Sequence, residues 1–541
     1  MASSVPLSTL PVTNAALSAN AASSAVPPAP SSSPMASSAA PAASVFTGAA
    51  TPGGLAALPA AYTASASNAK RAAVRLAPGQ NPIAPSTAAA SLALPVPPSP
   101  VVAVPYSAFS PARRQLICTL VVFVIVASAL PSDMLLPILP VLEQSLNVSV
   151  EGINVIVAAG LAVSVAIPLI RNDSDYFGRQ WRFLFWLLFH VGASTVLSVL
   201  PNLPGISFAY IAFLVGRVLQ VLAASALQTI GGGIISDISP KDELNLGTLA
   251  FAIRAILGPL LGGFITQYGQ GESGIFVTSC TTIIILYILS FLCIPETLRP
   301  IVGNGALYSS RPLLPVPLFH HETADPRLYP PHKPSQPLHD LRAGLTPHKL
   351  AVMVNNALLF GTYYAINVTL CRTLTHQYRF TPIQIGAAYT AKGTAMAAGW
   401  YCSHLATARC RAHTPLRSPG VKPAPGYRLR TQAVGAVLFC CSALMYAAFV
   451  HMKWHAAGVI AFAALAAFCV IWSNYQTKRY LGSFVPFGKP LGALSDLIGA
   501  VVAAVMVAVT QPLVDRFGIL GLFGVLMGMH LVCLGVVRGT T

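Results

Sequence analysis

The sequence predicts an all-α membrane protein: twelve transmembrane helices in two six-helix bundles, with a disordered N-terminal tail. Three observations carry this. The 541 residues are 54% hydrophobic and only 9% charged, against about 25% charged in an ordinary soluble domain. Beyond residue 114 the apolar residues fall into twelve segments, each near the roughly 20 residues that cross a hydrocarbon core. The basic residues gather in alternate loops, as they do in multi-pass proteins.

The tail, residues 1–114, is built of Ala, Ser and Pro with scattered Gly. Up to about residue 112 it has no Asp or Glu, and its charges are few: Lys70, Arg71 and Arg75. Such a segment cannot bury enough surface to repay its ordering entropy, so disorder is expected. An organelle transit peptide would also be acid-poor and Ser-rich, but it would hold more arginine and less proline. No N-terminal secretory signal is recognisable, so the first span would serve for targeting.

The first bundle, 115–294, holds segments near 115–139, 151–170, 182–200, 208–235, 246–267 and 275–294. A Pro- and His-rich stretch, 295–349, reads as a cytoplasmic linker. The second bundle, 350–541, holds segments near 350–371, 383–406, 431–450, 455–476, 490–512 and 518–537. With a cytoplasmic N-terminus, 25 Lys and Arg fall inside and 4 outside. Both termini are therefore expected in the cytoplasm. Three more lie within spans: Arg217, Arg254 and Lys392.

Composition also excludes function classes. The net charge of +17 could suggest nucleic acid, but the basic residues sit in short loops between apolar runs. The loop from Arg409 to Arg430 has six of them and no acid, and reads as a topology anchor. The ten cysteines lie mostly in apolar segments, with no zinc-like or disulfide-framework spacing. His320, His321, His332, His339 and His348 also lack ligand spacing, so no metal is expected. No nucleophile–base pair suggests an enzyme. No Gly-x-x-x-x-Gly-Lys-Ser/Thr loop is present, so ATP is not the expected energy source and no cofactor is implied.

Four motifs follow one another in the first half. Asp175-Tyr176-Phe177-Gly178-Arg179-Gln180 lies between the second and third segments. Arg217-x-x-Gln220 lies in the fourth, with Ala224 and Gln228 on the same helical face. Gly258-Pro259-x-x-Gly262-Gly263 lies in the fifth, on a stripe shared with Arg254. Pro295-Glu296-Thr297-Leu298-Arg299 follows the sixth. In this order they resemble the signature loop, the fourth-span motif, the antiporter motif and the span-six terminus of the major facilitator superfamily. The likeness is to its fungal twelve-span drug:proton antiporters, which are multidrug or secondary-metabolite efflux pumps. It covers roughly 115–540 and is strong in the first half, weak in the second. Thr381-Pro382-Ile383-Gln384-Ile385-Gly386 still resembles the entry to span eight, whereas Gly499 stands where relatives often carry a basic residue.

The resemblance implies proton-coupled export of a small organic molecule by alternating access. It implies that Arg217 takes part in proton coupling. It implies that Asp175 and Arg179, the acid and base of the conformational loop that also holds Gly178, latch spans two, three and eleven on the cytoplasmic side. It implies that Gly258, Pro259, Gly262 and Gly263 serve packing and hinging. The pattern is altered at Arg171 (usually Gly), Tyr176 (usually basic), Val221 and Arg254 (both usually Gly).

Ionisable groups inside spans are expensive and mark substrate or ion paths. Asp133, Arg217 with Gln220, Arg254, Lys392 and Asp496 form the coupling and cavity set. Asp133 is the first candidate for the proton carrier, with Asp496 next; the competing reading has Asp133 capping the outer end of span one in water. Arg254 and Lys392 bias the cavity positive, which would suit an anionic or polar-headed cargo, unless their long stems carry the charge to the interface. Asn355, Asn356, Tyr363, Tyr364, Asn367 and Tyr389 could line the other side. Asn147-Val148-Ser149 is a glycosylation acceptor sequence expected to face outside. Asp515-Arg516-Phe517-Gly518, a superficial copy of the signature loop, would face outside too.

The expected partners are a small-molecule substrate, protons and the lipid bilayer, for a monomer in the plasma membrane or, second, a vacuolar or other organelle membrane. Two alternatives stay open. One is an organic-anion carrier or importer of the same fold. The other is a receptor-like or scaffold protein without turnover.

Overall fold

The computed structural model describes residues 106–166, 170, 174–175, 177–200, 209–239, 246–305, 345–413, 425–484 and 488–539. All of these belong to the unit Pro98–Thr541. The expected tail up to residue 105 and most of the linker, 306–344, lie outside the described residues. So do Arg171, Tyr176, the loop 240–245 and the basic loop 414–424.

The first apolar run becomes a broken helix. Helix α1, Pro111–Met134, starts where Ser110 accepts the amide of Arg113 and Pro111 presets the first turn. Pro131, Pro137 and Pro140 each lack an N–H. The chain accordingly passes from α1 through a 3-10 turn, Leu136–Ile138, into the short helix α2, Leu139–Ser145. Helix α3, Val150–Ala162, is capped by Ser149. It gives way to a 3-10 turn at Val163–Ala166, so this α-helix is shorter than the expected segment.

The rest of the first half is α4, Arg179–Val199; α5, Ala209–Ile238; α6, Leu246–Tyr268; α7, Gly271–Cys293; and a single turn, α8, Arg299–Val302. The second half holds α9, Pro347–His376; α10, Pro382–His413; α11, Pro425–His451; α12, Ala456–Leu481; and α13, Gly488–Gly539. Gly518 interrupts α13 with a positive φ of 70°, so it is two arms rather than one rod.

No strand occurs among the described residues. Seven stretches among them are long and apolar enough to cross a membrane: Pro111–Ser145, Arg179–Val199, Ala209–Ile238, Gly271–Cys293, Gly426–His451, Ala456–Leu481 and Leu491–Gly539. Their outward faces are apolar: Phe123, Ile211, Val525 and Val532 are all more than half exposed. The interior is largely apolar as well, with Val121, Leu187, Phe213 and Phe439 buried, but it also holds the amides Gln220, Asn355, Asn356, Gln432 and Gln476. Apolar outward faces with polar groups kept inside suit a hydrocarbon surround.

Helix α6 positions the site, because it runs between α1 and α10 with backbones in contact. Gly258 lies against the Asp133 side chain, so that an added Cβ would stand 2.6 Å from Asp133 Cβ. Gly262 lies on the backbone of Met134, and Gly263 on that of Pro382. From the other side, Gly386 faces the Pro259 carbonyl and Gly393 the Ala255 carbonyl. Small residues allow this approach, and Pro259 exposes carbonyls along it. Thr390 Oγ1 donates to the Ile256 carbonyl at 3.1 Å, and the Ile383 amide to Gln267 Oε1 at 3.2 Å.

Candidate functional site

Two clusters arise from this framework. The first lies where α1, α4, α5, α6, α9 and α10 approach one another. Asp133, one position before the end of α1, meets Arg254 of α6 with Oδ2 and Nε 3.4 Å apart. Each side chain is about one-fifth exposed, at 20% and 19%. The neighbouring Ser132 accepts from Arg217 Nη2 at 2.9 Å, and Arg217 Nη1 donates to Gln220 Oε1. Gln220 Nε2 donates in turn to Ser194 Oγ at 2.8 Å. Residues 217 and 220 lie one turn apart, so a single face of α5 carries the link from α1 to α4. One turn along α4, fully buried His190 sets Nε2 3.4 Å from Ser279 Oγ of α7.

The second half contributes Lys392. It is buried, and its ammonium donates to Asn367 Oδ1. The same nitrogen lies 4.0 Å from the centre of the Tyr389 ring and 5.3 Å from that of Tyr363. Tyr389 hydroxyl donates to the Asn367 carbonyl, and Tyr363 hydroxyl to Met396 Sδ at 3.1 Å. Tyr389, Lys392 and Met396 share a face of α10, and Tyr363 and Asn367 share one of α9. The charges of Arg254, Arg217 and Lys392 all act on Asp133.

The structure therefore brings Asp133, Arg217, Gln220, Arg254 and Lys392 into one region. It does not bring Asp496 there. Asp496 pairs with Lys478 at 3.0 Å, and both side chains are about half exposed, 52% and 45%. The sequence set Asp496 inside a span because its apolar run begins near residue 490. In the structure it lies two turns from the start of α13, beside the last turn of α12.

The second cluster lies at the start of α4. Arg179 Nη2 meets Asp175 Oδ1 at 2.6 Å, and Nη1 donates to Ser174 Oγ at 2.9 Å. Its Nε reaches Asp237 Oδ2 of α5 at 3.2 Å. The guanidinium lies on the backbone of Gly233, where a Cβ would stand 2.7 Å from Cζ. Glu296 accepts the amides of Arg179 at 2.9 Å and Gln180 at 3.2 Å. It also accepts those of Thr297 and Leu298. Gly178, with φ of 105°, admits this carboxylate beside its own α-carbon. Arg299 donates to the Asp237 carbonyl and stacks over Tyr106, 3.9 Å from the ring centre. Among the described residues, Arg179 has no partner on α13, the helix over expected span eleven.

Sequence reasoning singled out Asp175 and Arg179 but missed the parts of Asp237 and Glu296. It also missed Ser132, Ser194 and His190. Glu296 follows α7 by three residues, and nothing in its local spacing pointed to the start of α4 as its partner. Asn147 is exposed in a left-handed turn, φ 49°, between α2 and α3.

The model of the Major Facilitator Superfamily matches residues 121–482. Dityrosine transporter 1 of Saccharomyces cerevisiae is 28% identical over 453 residues, covering 77% of this chain and 77% of that protein. A multidrug transporter of Candida glabrata is 26% identical over 452 residues, covering 77% of this chain and 82% of that protein. Among solved structures, a bacterial homologue of the human lysosomal transporter Spinster, inward-facing and unoccupied, superposes with a TM-score of 0.57. It is 13% identical and covers 80% of this chain and 95% of that one, a likeness of fold.

Proposed function

Because this chain belongs to the Major Facilitator Superfamily, a family of transporters and not of enzymes, we propose that it is a proton-coupled secondary carrier exporting a small organic molecule. In this reading twelve helices form two six-helix bundles, with the cargo site between them near the bilayer midplane. The relatives named for dityrosine and for multiple drugs favour an organic cargo, drug-like or a secreted metabolite.

The observation that carries the reading is the Asp133–Arg254 pair. Asp133, an acid within α1, ties that helix to α6 through Arg254, beside the α6–α10 contact. A proton on its carboxylate removes the charge that holds Arg254. The pair therefore responds to protonation at the point where the two halves of the chain touch. The contacts of α6 with α10 run from Ala255 to Gln267, where the Ile383 amide meets Gln267, and residues of both halves, Asn154 and Gln511 among them, line one small cavity beside α2. Among the described residues, the side-chain partners of Arg179, at the other end, are Asp175, Ser174 and Asp237, all in the first half. This supports a carrier closed at one face and free to part at the other, as alternating access requires.

The test is proton movement in sealed proteoliposomes carrying a pH gradient, as metabolites and drugs are added one at a time. A compound-dependent change of internal pH that vanishes in Asp133→Asn is expected. A change that persists in the variant moves the proton site elsewhere. No coupled movement with any compound, together with no direct flux, overturns the reading in favour of a protein without turnover. We place the carrier in the plasma membrane with both termini cytoplasmic, working as a monomer.

A further inference from the structure

The charges of the central cluster do not balance. The chain has 15 acidic residues. Among the described ones, Asp133 alone faces the cluster. Glu143 and Glu151 stand at the ends of α2 and α3, and Glu272 in the first turn of α7. Asp175, Asp237 and Glu296 belong to the Arg179 network. Asp496 is taken by Lys478, and Asp515 accepts from Gln511 near the break in α13. Three cations therefore share one carboxylate, and Arg254 already holds it.

What remains to the other two is neutral. Arg217 rests on Gln220 and Ser132, within the first half. Lys392 has an amide oxygen and the faces of two tyrosines. An ammonium has three donors and costs most to bury when no anion answers it. The Asn367 oxygen and the Tyr389 ring supply partial negative charge without neutralising it. Lys392 also sits level with Arg254: the next residue on α10, Gly393, touches the carbonyl of the next residue on α6, Ala255. Tyr363, Tyr364 and Tyr389 wall the same place, and the Tyr363 and Tyr389 hydroxyls are already engaged. Their rings, rather than their hydroxyls, are what a ligand would meet.

We propose that Lys392, with Arg254 across the α6–α10 contact, anchors the carboxylate of an aromatic organic acid, whose ring lies against Tyr363 and Tyr364. The proposal rests on the carrier reading and names its cargo class. The cargo carboxylate displaces Asn367 from the ammonium. Asp133 is its rival for the same cations, so removing the Asp133 charge strengthens the binding of an anion. A cationic cargo would do the opposite, because Asp133 would be its only counter-charge in the cluster.

The test uses the purified full chain and three probes with one aromatic body: phenylacetate, its neutral amide phenylacetamide, and phenethylamine. Their binding is measured by calorimetry and by ligand-induced thermal shift. Wild type is expected to bind the carboxylate at least about tenfold more tightly than the amide or the amine, a step of about 1.4 kcal/mol. Lys392→Gln loses that preference while amide binding stays, Lys392→Arg keeps it, and Asp133→Asn tightens the carboxylate alone. Lys392→Arg and Asp133→Asn preserve a test if Lys392→Gln does not fold. Amide or amine binding equal to the carboxylate, unchanged carboxylate affinity in Lys392→Gln, weaker carboxylate binding in Asp133→Asn, or no binding of the carboxylate overturns the proposal. Vesicle flux separates the two readings. Carboxylate binding without flux keeps the subsite and ends the carrier reading. Proton-coupled flux of neutral or cationic compounds without carboxylate binding does the reverse.

Discussion

Glu296 closes the first turn of α4 by accepting the backbone amide of Arg179 at 2.9 Å, across 117 positions of sequence. The same carboxylate takes the amides of Gln180, Thr297 and Leu298. One side chain thus ties the exit of α7 to the entry of α4, and its charge suits the positive end of the α4 dipole. Glu296→Ala should lower stability by about 1–2 kcal/mol, the scale of a lost helix cap. Glu296→Gln should keep part of that. Thermal unfolding in detergent checks both, and an unchanged midpoint for Glu296→Ala would show that water replaces the cap at no cost.

Asp133 and Arg254 are each about one-fifth exposed, so each neutralises the other in a partly dry place. Removing one partner leaves an uncompensated charge, whereas removing both does not. The double variant Asp133→Asn with Arg254→Gln should be more stable than additivity of the two single variants allows. It should still lack proton-coupled flux. Additive losses would mean that the pair does not interact in solution.

The contacts of α6 with α1, at Gly262, and with α10, at Gly393, leave no room for a methyl group. Gly262→Ala and Gly393→Ala should each reduce transport and the unfolding midpoint, since the atoms in the way are backbone. Gly232→Ala is the control: nothing lies within 4 Å of its added Cβ. It should gain up to about 1 kcal/mol of helix stability at unchanged flux. Equal behaviour of the three variants would contradict the close contact.

Asp496 and Lys478 form a half-exposed pair, and such pairs contribute about 0–1 kcal/mol. Asp496→Asn should leave proton-coupled flux within about twofold of wild type and shift stability by no more than about 1 kcal/mol. Loss of coupling in this variant would return Asp496 to the proton path.

Asn147 should carry glycan when the chain is made in a fungal cell, if its loop faces outside. Asn147→Gln should then remove a glycosidase-sensitive mobility shift. No shift in wild type, together with labelling of a cysteine at 147 from the cytoplasmic face, would invert the proposed orientation.

Much of the fold was legible because a bilayer imposes simple rules. Apolar runs of helix length, separated by charged loops, mark the helices without tertiary information. The break after Met134 is not legible in the sequence, where 115–139 reads as one segment; Pro137 and Pro140 fall where the chain leaves α1 for a 3-10 turn and α2. The interior ions Asp133, Arg217, Arg254 and Lys392 stood out for the same reason, since an ion in an apolar run needs an explanation. Asp496 pairs with Lys478 and lies apart from the Asp133 cluster, which the sequence could not tell, because periodicity places a residue on a helix but not its depth in a bundle. Glu296 was missed because its partner lies 117 positions away and local spacing is silent about such a contact.

By itself, then, the sequence determined the helical membrane class, the family motifs and a short inventory of costly charges. These follow from composition and from periods of a few residues, which act along one segment at a time. Only the tertiary structure decided which charges meet: Arg254 with Asp133, Arg179 with Asp237, and Lys392 with an amide rather than an acid. Pairing depends on helices crossing at glycines, and Gly262 and Gly393 acquire meaning only from the backbones that lie against them.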